Sequence, residues 1–268
     1  PVLFLTALAT MLATVFYSYR LFPLQLKNIR QHISDGGPMV KLGLSFVAAG
    51  MVGSSVEMYI RAFLNVQADL ETVGLYYAAF LIAITYPSSL LGSLENEYFS
   101  RLSAVCADSR EMCRMVNAQV EVLLMVMFPI IAVLIIALPI ALPMLFSTKF
   151  NGAIPLAQVT LLAMFLRSAT MPIEYSLLAR GESRRFFYME ALWGALTVGF
   201  LTIGYHLFGL IGMGYGWVAE YLSELLIILI AFRLLWGFRL SGKATALLLC
   251  EGAVLVAICI AIVQPSPI

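Results

Sequence analysis

Residues 117–145 read NAQVEVLLMVMFPIIAVLIIALPIALPML, and this stretch carries no charged side chain after Glu121. A helix needs roughly 20 mostly apolar residues to cross the hydrocarbon core of a membrane. Pro129, Pro139 and Pro143 bend such a helix rather than end it, because neighbouring groups in a membrane protein satisfy the freed carbonyls. The stretch therefore predicts a bent transmembrane helix.

Seven further stretches have a similar length and apolar character. They lie at about 1–19, 39–62, 72–98, 152–179, 186–207, 209–235 and 244–263. Apolar residues make up 62% of the 268 residues and charged ones only 12%. A water-soluble domain could not shield that much apolar surface, because its outside must be wetted. The predicted fold class is an all-α polytopic membrane protein with about eight transmembrane helices.

Basic residues alternate between the gaps that separate these stretches. Thirteen of the 16 Lys and Arg residues lie in every second gap: Arg20, Lys27, Arg30 and Lys41; Arg101, Arg110 and Arg114; Arg180, Arg184 and Arg185; Arg233, Arg239 and Lys243. Cationic loops stay on the cytoplasmic side of a membrane. We therefore predict that these four gaps are cytoplasmic and that both ends of the chain lie outside. Every gap is too short for a soluble catalytic domain, so we do not expect an enzyme.

Cofactor chemistry finds little support in the sequence. The four cysteines form no C-x-x-C pair, and the only histidines are His32 and His206, so no His/Cys metal site is expected. A Gly-rich phosphate loop is missing as well, which argues against direct use of ATP. We predict no cofactor, no metal and no nucleic-acid partner.

Two segments between or within the spans have a pattern of their own. Apolar residues repeat at helical spacing over 21–33, which predicts a helix lying in the membrane interface, ended by residues 36–38 (GGP). A basic tether that only sets topology is the alternative. Gly212 and Gly216 are four residues apart, a spacing that lets two helices approach closely. Here the alternative is an unwound stretch that contacts substrate.

Ionisable side chains at membrane depth need a partner or a wet cavity. Arg167 lies midway along the fifth stretch, and Glu174 follows almost two helical turns later on the same face. The Arg167 guanidinium is expected either to pair with a carboxylate or to face an anionic ligand.

Two further pairs have i,i+4 spacing, Glu220 with Glu224 and Glu57 with Arg61. The first pair is expected to serve either coupling to a cation or structural pairing. The second is expected to be mainly a self-neutralising pair, with an outer gate as the alternative. We interpret Glu121 and Glu190 as helix-end residues that cap helices or pair with loop arginines such as Arg101 and Arg114.

Five short segments together resemble one known family. They occur in the right order at 73–79 (VGLYYAA), 97–105 (EYFSRLSAV, followed by Asp108), 116–121 (VNAQVE), 145–150 (LFSTKF) and 178–183 (LARGES). This set is similar to that of O-antigen and polysaccharide translocases of the multidrug/oligosaccharidyl-lipid/polysaccharide exporter superfamily. The resemblance covers residues 39–236. Ser100 stands where the family commonly has Pro, and Glu97 where Asp is usual.

The resemblance implies a part of a two-lobed transporter. Residues 1–38 would be the last helix of the first lobe with a cytoplasmic interfacial linker, 39–236 the second lobe of a MATE-like flippase, and 237–268 an additional transmembrane helix. The implied function is the flipping of an undecaprenyl-pyrophosphate-linked oligosaccharide across a bacterial inner membrane by alternating access. A cation-coupled multidrug exporter of the same superfamily is the alternative.

The implied partners are the lipid-linked oligosaccharide, membrane lipids, a polysaccharide polymerase and a chain-length regulator. Candidate substrate-binding residues are Arg167, Glu174 and Arg61, with Arg167 facing phosphate. Candidate coupling-ion residues are Glu220, Glu224 and Glu57. An exporter of cations would instead have an acidic and aromatic cavity, which Glu220, Glu224, Tyr215, Trp217 and Tyr221 support.

Overall fold

The computed structural model describes residues 2–21 and 29–262, and this part of the chain is helical apart from short turns. Its helices are α1 (Val2–Leu21), α2 (Ile29–Gln67), α3 (Leu70–Phe80), α4 (Tyr86–Val105), α5 (Ser109–Leu145), α6 (Ile154–Ala179), α7 (Ser183–Trp236) and α8 (Gly242–Ile262). A π-helical turn, Leu81–Thr85, joins α3 to α4. A 3₁₀ turn, Thr148–Ala153, precedes α6.

These helices follow the predicted stretches in order, when α3 and α4 are counted together and α7 is counted as two arms. Within the described residues, five segments are long and apolar enough to cross a membrane: Gly43–Gln67, Leu70–Glu95, Ser109–Leu145, Thr148–Ala179 and Gly242–Ile262. The prediction of an all-α polytopic membrane protein is confirmed. The predicted number of eight spans is approximate.

The chain divides into two compact units, Pro1–Lys41 and Leu42–Ile268. The first contains α1 and the beginning of α2. Residues 22–28, which form much of the predicted interfacial helix, lie outside the described residues. The expected break at residues 36–38 was wrong, because α2 continues through them from Ile29 to Gln67. A proline inside a helix can be accommodated without ending it, and the 39 residues of α2 include Pro38.

Helix α6 forms the centre of the second unit. Most of its side chains are buried, and it packs against α5, α7 and α8. The Tyr98 hydroxyl of α4 donates a hydrogen bond to the Pro172 carbonyl of α6, with 2.8 Å between the oxygens. Because Arg167 and Glu174 belong to this central helix, the fold places both charged groups inside the helical unit.

A buried amide compensates for one of the prolines in α5. Pro139 has no N–H, so the carbonyl of Ile135, four residues earlier, loses its helical partner. Gln158 of α6 is 2% exposed, and its Nε2 donates to this carbonyl at 2.9 Å. Helix α5 runs unbroken through its three prolines, as the sequence predicts.

Helix α7 turns back on itself at Gly209, whose backbone has φ +63° and ψ −145°. Its two arms, 183–208 and 210–236, pack through glycines. A Cβ built on Gly204 would lie 2.1 Å from the Gly212 carbonyl oxygen, and one on Gly216 would lie 2.7 Å from the Phe200 carbonyl oxygen. The close helix approach predicted for Gly212 and Gly216 is therefore confirmed.

The beginning of α8 is attached to α5 by polar side chains of the 116–121 segment. The Asn117 side-chain oxygen accepts from the Ser241 backbone N–H at 2.6 Å. Glu121 accepts from the Ser241 hydroxyl at 2.7 Å and pairs with Lys243 at 3.0 Å. Glu121 thus has a cationic partner, but this partner is Lys243 in the first turn of α8 and not one of the arginines expected from the sequence. Arg101 and Arg114 pair with carboxylates of their own helices.

The short connection between α2 and α3 contains a helix cap. The Asp69 carboxylate accepts from the Thr72 backbone N–H at 3.0 Å. Hydrogen bonds from Thr72 hold the pKa of this carboxyl below its ordinary value. Asp69 therefore fixes the beginning of α3, the helix that supplies aromatic side chains to the site described next.

Candidate functional site

The second unit contains a cavity of about 240 Å³ between α2, the α3–α4 region, α6 and α7. The ionisable residues among those that line it are Glu57, Arg167, Glu190, Glu220 and Glu224. Its aromatic lining consists of Phe80, Trp193, Trp217 and Tyr221. Among the described residues, carboxyl groups thus outnumber cations in the lining of this cavity by four to one.

Arg167 is held by two carboxylates. One of its terminal nitrogens lies 2.6 Å from Glu174 Oε2 and 2.7 Å from Glu224 Oε1. The Arg167 side chain is 25% exposed, whereas those of Glu174 and Glu224 are 3% and 1% exposed. Of the two alternatives for Arg167, the structure shows pairing with carboxylates. Two buried carboxylates already neutralise the guanidinium, so its attraction for a further anion is reduced.

Trp193 holds Glu174 from the side opposite Arg167. The indole Nε1–H donates to Glu174 Oε1 at 2.5 Å, and the Thr197 hydroxyl donates to the Trp193 carbonyl at 2.9 Å. Both oxygens of Glu174 are therefore occupied. Glu174 therefore holds the Arg167 guanidinium in place without itself lining the cavity.

Glu220 differs from the other buried carboxyl groups because one of its oxygens is unoccupied. The residue is 2% exposed, and its Oε2 has no hydrogen-bond partner within the described residues. Glu224 lies one helical turn further along α7, so both groups face the cavity, as their spacing predicts. A buried polar atom without a partner carries a penalty that a bound ligand can remove.

A row of aromatic rings lies beside these carboxyl groups. The rings of Trp217 and Tyr221 stack with centroids 5.8 Å apart and an angle of 21° between their planes. Phe80 continues the row at 6.2 Å from Trp217. The guanidinium carbon of Arg167 lies 5.9 Å from the Tyr221 ring centre. The cavity thus offers flat apolar surfaces next to hydrogen-bond acceptors.

Glu57 and Arg61 form an ion pair on α2, beside the main cavity. Their ion pair measures 3.6 Å, and both side chains are more than half exposed. The Arg61 guanidinium also lies over the Tyr77 ring, 5.3 Å from its centre. Arg61 lines a smaller cavity of about 30 Å³ that adjoins the first and shares Glu57 with it. The pair itself is as predicted, but its exposure leaves Arg61 free to exchange partners.

The six candidate residues thus come together from three helices. Four of them line the main cavity, Glu174 fixes Arg167, and Arg61 lines the adjoining cavity. Their roles in binding and coupling stay predictions. Tyr215 lies elsewhere: it is absent from the lining, 46% exposed, and packs against Phe208.

Sequence reasoning missed two cavity residues on the first arm of α7. Glu190, interpreted as a helix-end residue, lines the cavity, and so does Trp193. A signal was present, because Glu190, Trp193 and Thr197 share a helical face through i+3 and i+7 spacing. A tryptophan within an apolar span also needs an acceptor for its N–H.

An apolar groove of about 680 Å³ lies next to the cavity, between α2 and the first arm of α7. It is lined almost entirely by apolar side chains, among them Met51, Tyr59 and Val198. Val52, Val56 and Gly194 line both spaces. The charged cavity and the apolar groove are therefore contiguous.

The fold is similar to that of a solved membrane protein. Over 82% of its length, the chain is similar to a solved structure described as the outward-facing conformation of a multidrug resistance MATE family transporter of the MOP superfamily, with a TM-score of 0.62 and 16% sequence identity. The chain spans about half of that transporter, 52% of its length. At this identity the likeness shows the fold alone.

The sequence comparison then identifies the family. The family described as polysaccharide biosynthesis protein matches residues 2–155, more than half of the chain. The chain belongs to this family, and the resemblance to the exporter superfamily is confirmed. No protein in the comparison with curated sequences matches. The matched residues include Glu57 and Phe80, whereas Arg167 and the α7 carboxyl groups lie beyond them.

Proposed function

We propose that this chain forms part of a flippase that carries a lipid-linked oligosaccharide across the bacterial inner membrane. One observation supports the proposal above all. A polar, aromatic cavity adjoins an apolar groove, in a chain that belongs to the polysaccharide biosynthesis family. A sugar head group cannot enter hydrocarbon without polar contacts. The cavity supplies such contacts, and the groove accommodates the lipid tail.

The head group carries phosphate as well as sugar, and the two need different surroundings. The main cavity is rich in carboxyl groups, and Arg167, the cation among its described lining residues, is already paired twice. Arg61 has a single, long and exposed ion pair. We therefore place the pyrophosphate at Arg61, and we assign to Arg167 the role of fixing Glu174 and Glu224.

Coupling is assigned to the carboxyl groups of the same cavity. Glu57, Glu220 and Glu224 would bind the coupling cation, and its exchange would bias the rocking of the two lobes during alternating access. A polysaccharide polymerase and a chain-length regulator would act on the flipped product.

Export of amphiphilic cations is the second candidate function. The excess of carboxyl groups and the stacked rings of Trp217 and Tyr221 favour it, because ammonium and aromatic cations bind such surroundings.

Expression in two bacterial strains separates the candidates. Restored surface polysaccharide in a flippase-deficient strain supports the flippase, and Arg61→Gln is expected to reduce that restoration more than tenfold. Resistance to cationic dyes without restored polysaccharide would establish the exporter instead.

A further inference from the structure

The main cavity contains a binding position that the paired residues leave open. Glu220 is almost fully buried, lines the cavity, and has one oxygen without a partner within the described residues. Glu224 is held by Arg167 and Glu57 by Arg61. Glu190 is only partly buried, so water can reach it, whereas Glu220 is buried. Among the described carboxyl groups of the cavity, Glu220 therefore has the strongest need for a donor from a ligand.

The surroundings of Glu220 restrict the shape of that ligand. Trp217 and Tyr221, its neighbours on α7, present stacked rings to the same cavity. The apolar C–H groups of a sugar ring can pack against the exposed parts of these aromatic side chains, while its hydroxyl and amino substituents reach the acceptors beside them. The ligand is thus a flat, partly apolar ring that carries donors.

Charge restricts the ligand further. Arg167 is neutralised by Glu174 and Glu224, so the cavity has carboxyl groups in excess. An anionic sugar, such as a uronic acid, meets like charge there, which lowers its affinity. A positively charged ammonium can donate to the unpartnered Glu220 Oε2, and charge-assisted hydrogen bonds are about twice as strong as neutral ones.

We propose that this cavity binds a sugar with a free amino group, stacked on Trp217 and Tyr221 with its ammonium at Glu220. The inference rests on the proposed flippase function and names the sugar chemistry that the flippase selects. Binding of the ammonium at Glu220 would exclude a coupling cation from the same oxygens, so substrate and coupling cation exchange at one position.

The proposal can be tested by binding of three matched probes to the full-length protein in lipid nanodiscs. The probes are the octyl glycosides of glucosamine, N-acetylglucosamine and glucose, each below its micelle concentration and at a pH where the amine is protonated. Tryptophan fluorescence reports binding, because Trp193 and Trp217 line the cavity. We expect the glucosamine glycoside to bind at least about tenfold more tightly than either of the others.

Two matched variants assign the effect to Glu220. Glu220→Gln keeps the shape of the side chain, and we expect it to remove the preference for the amine. Glu251→Gln makes the same change in α8, at a carboxyl group outside the cavity lining, and should leave the preference intact. Should Glu220→Gln fail to give folded protein, the probe series on the unaltered protein and on Glu220→Asp decides the question.

Equal binding of the three glycosides, or an unchanged preference in Glu220→Gln, would overturn the amino-sugar proposal. Tight binding of tetraphenylphosphonium with no binding of the glucosamine glycoside would also overturn it and favour the exporter. Complementation of a flippase-deficient strain is measured separately. A protein that complements but shows no amine preference would leave the flippase function standing and remove only the amino-sugar site.

Discussion

Arg167 lies in the middle of the most buried helix and is tolerated there because Glu174 and Glu224 both contact it. A buried charge that loses its partner is far more destabilising than a pair replaced together. Arg167 is therefore first of all a group that holds α6 and the second arm of α7 together. Effects of its substitution on transport have to be separated from effects on folding.

Arg167→Gln is expected to destabilise the protein by about 3–5 kcal/mol, because it leaves two buried carboxylates without their cation. Thermal unfolding followed by size-exclusion chromatography measures the loss. Glu224→Gln alone should also destabilise, since the guanidinium then keeps only Glu174.

The double variant Arg167→Gln with Glu224→Gln serves as the control. It removes the cation together with one of the two carboxylates, so we expect it to be more stable than Arg167→Gln alone. If the double variant loses the sum of the two single effects, Arg167 and Glu224 are not energetically coupled, and the pairing argument fails.

Helix α5 shows how one element depends on its neighbour. Its carbonyl at Ile135 is satisfied by Gln158 of α6 because Pro139 cannot donate. Gln158→Leu should leave that carbonyl unpaired and destabilise the protein by about 1–3 kcal/mol. Thermal melting of the purified variant measures the effect.

The matched control for Gln158 is the proline. In Pro139→Ala the helix can supply its own N–H to the Ile135 carbonyl, so Gln158→Leu should be much less harmful in that background. An equal loss of stability in both backgrounds would show that Gln158 acts by some other contact.

The two arms of α7 can pack closely only because glycines, which have no side chain, occupy the positions where they cross. Gly212→Ala is expected to destabilise by at least about 1–3 kcal/mol, because its methyl group would overlap the Gly204 carbonyl. Gly199→Ala lies in the same helix with no atom near its built Cβ, and it should be neutral or stabilising by about 0.5–1 kcal/mol. Similar melting temperatures for the two variants would contradict the tight crossing.

At the scale of the whole molecule, the predicted topology places Asn151 outside the cell and Ala107 in the cytoplasm. Both positions are exposed. In a background without the four native cysteines, Asn151→Cys should react with a membrane-impermeant maleimide in intact cells. Ala107→Cys should react only after permeabilisation. Labelling of Ala107→Cys from outside would overturn the alternation of the basic gaps.

The order of the helices could be predicted from the sequence because the length of each apolar stretch can be read directly from neighbouring residues. Residues 117–145 are an example. The meeting of Arg167 with Glu174 was predictable for the same reason, since both lie on one helix. The contact with Glu224 was not, because 57 residues separate the two along the chain. The π-helical turn at Leu81–Thr85 also has no local signal that distinguishes it from an ordinary helix around Pro87.

The reversal at Gly209 has a consequence for biogenesis. Because a single residue links the two arms and their backbones touch at Gly204 and Gly212, no hydrophilic tether separates them. We therefore expect the two arms to fold as one closed hairpin and not independently of each other. An epitope tag inserted at Gly209 would separate the two arms. Asn151, which is exposed in the turn before α6, is the better insertion site.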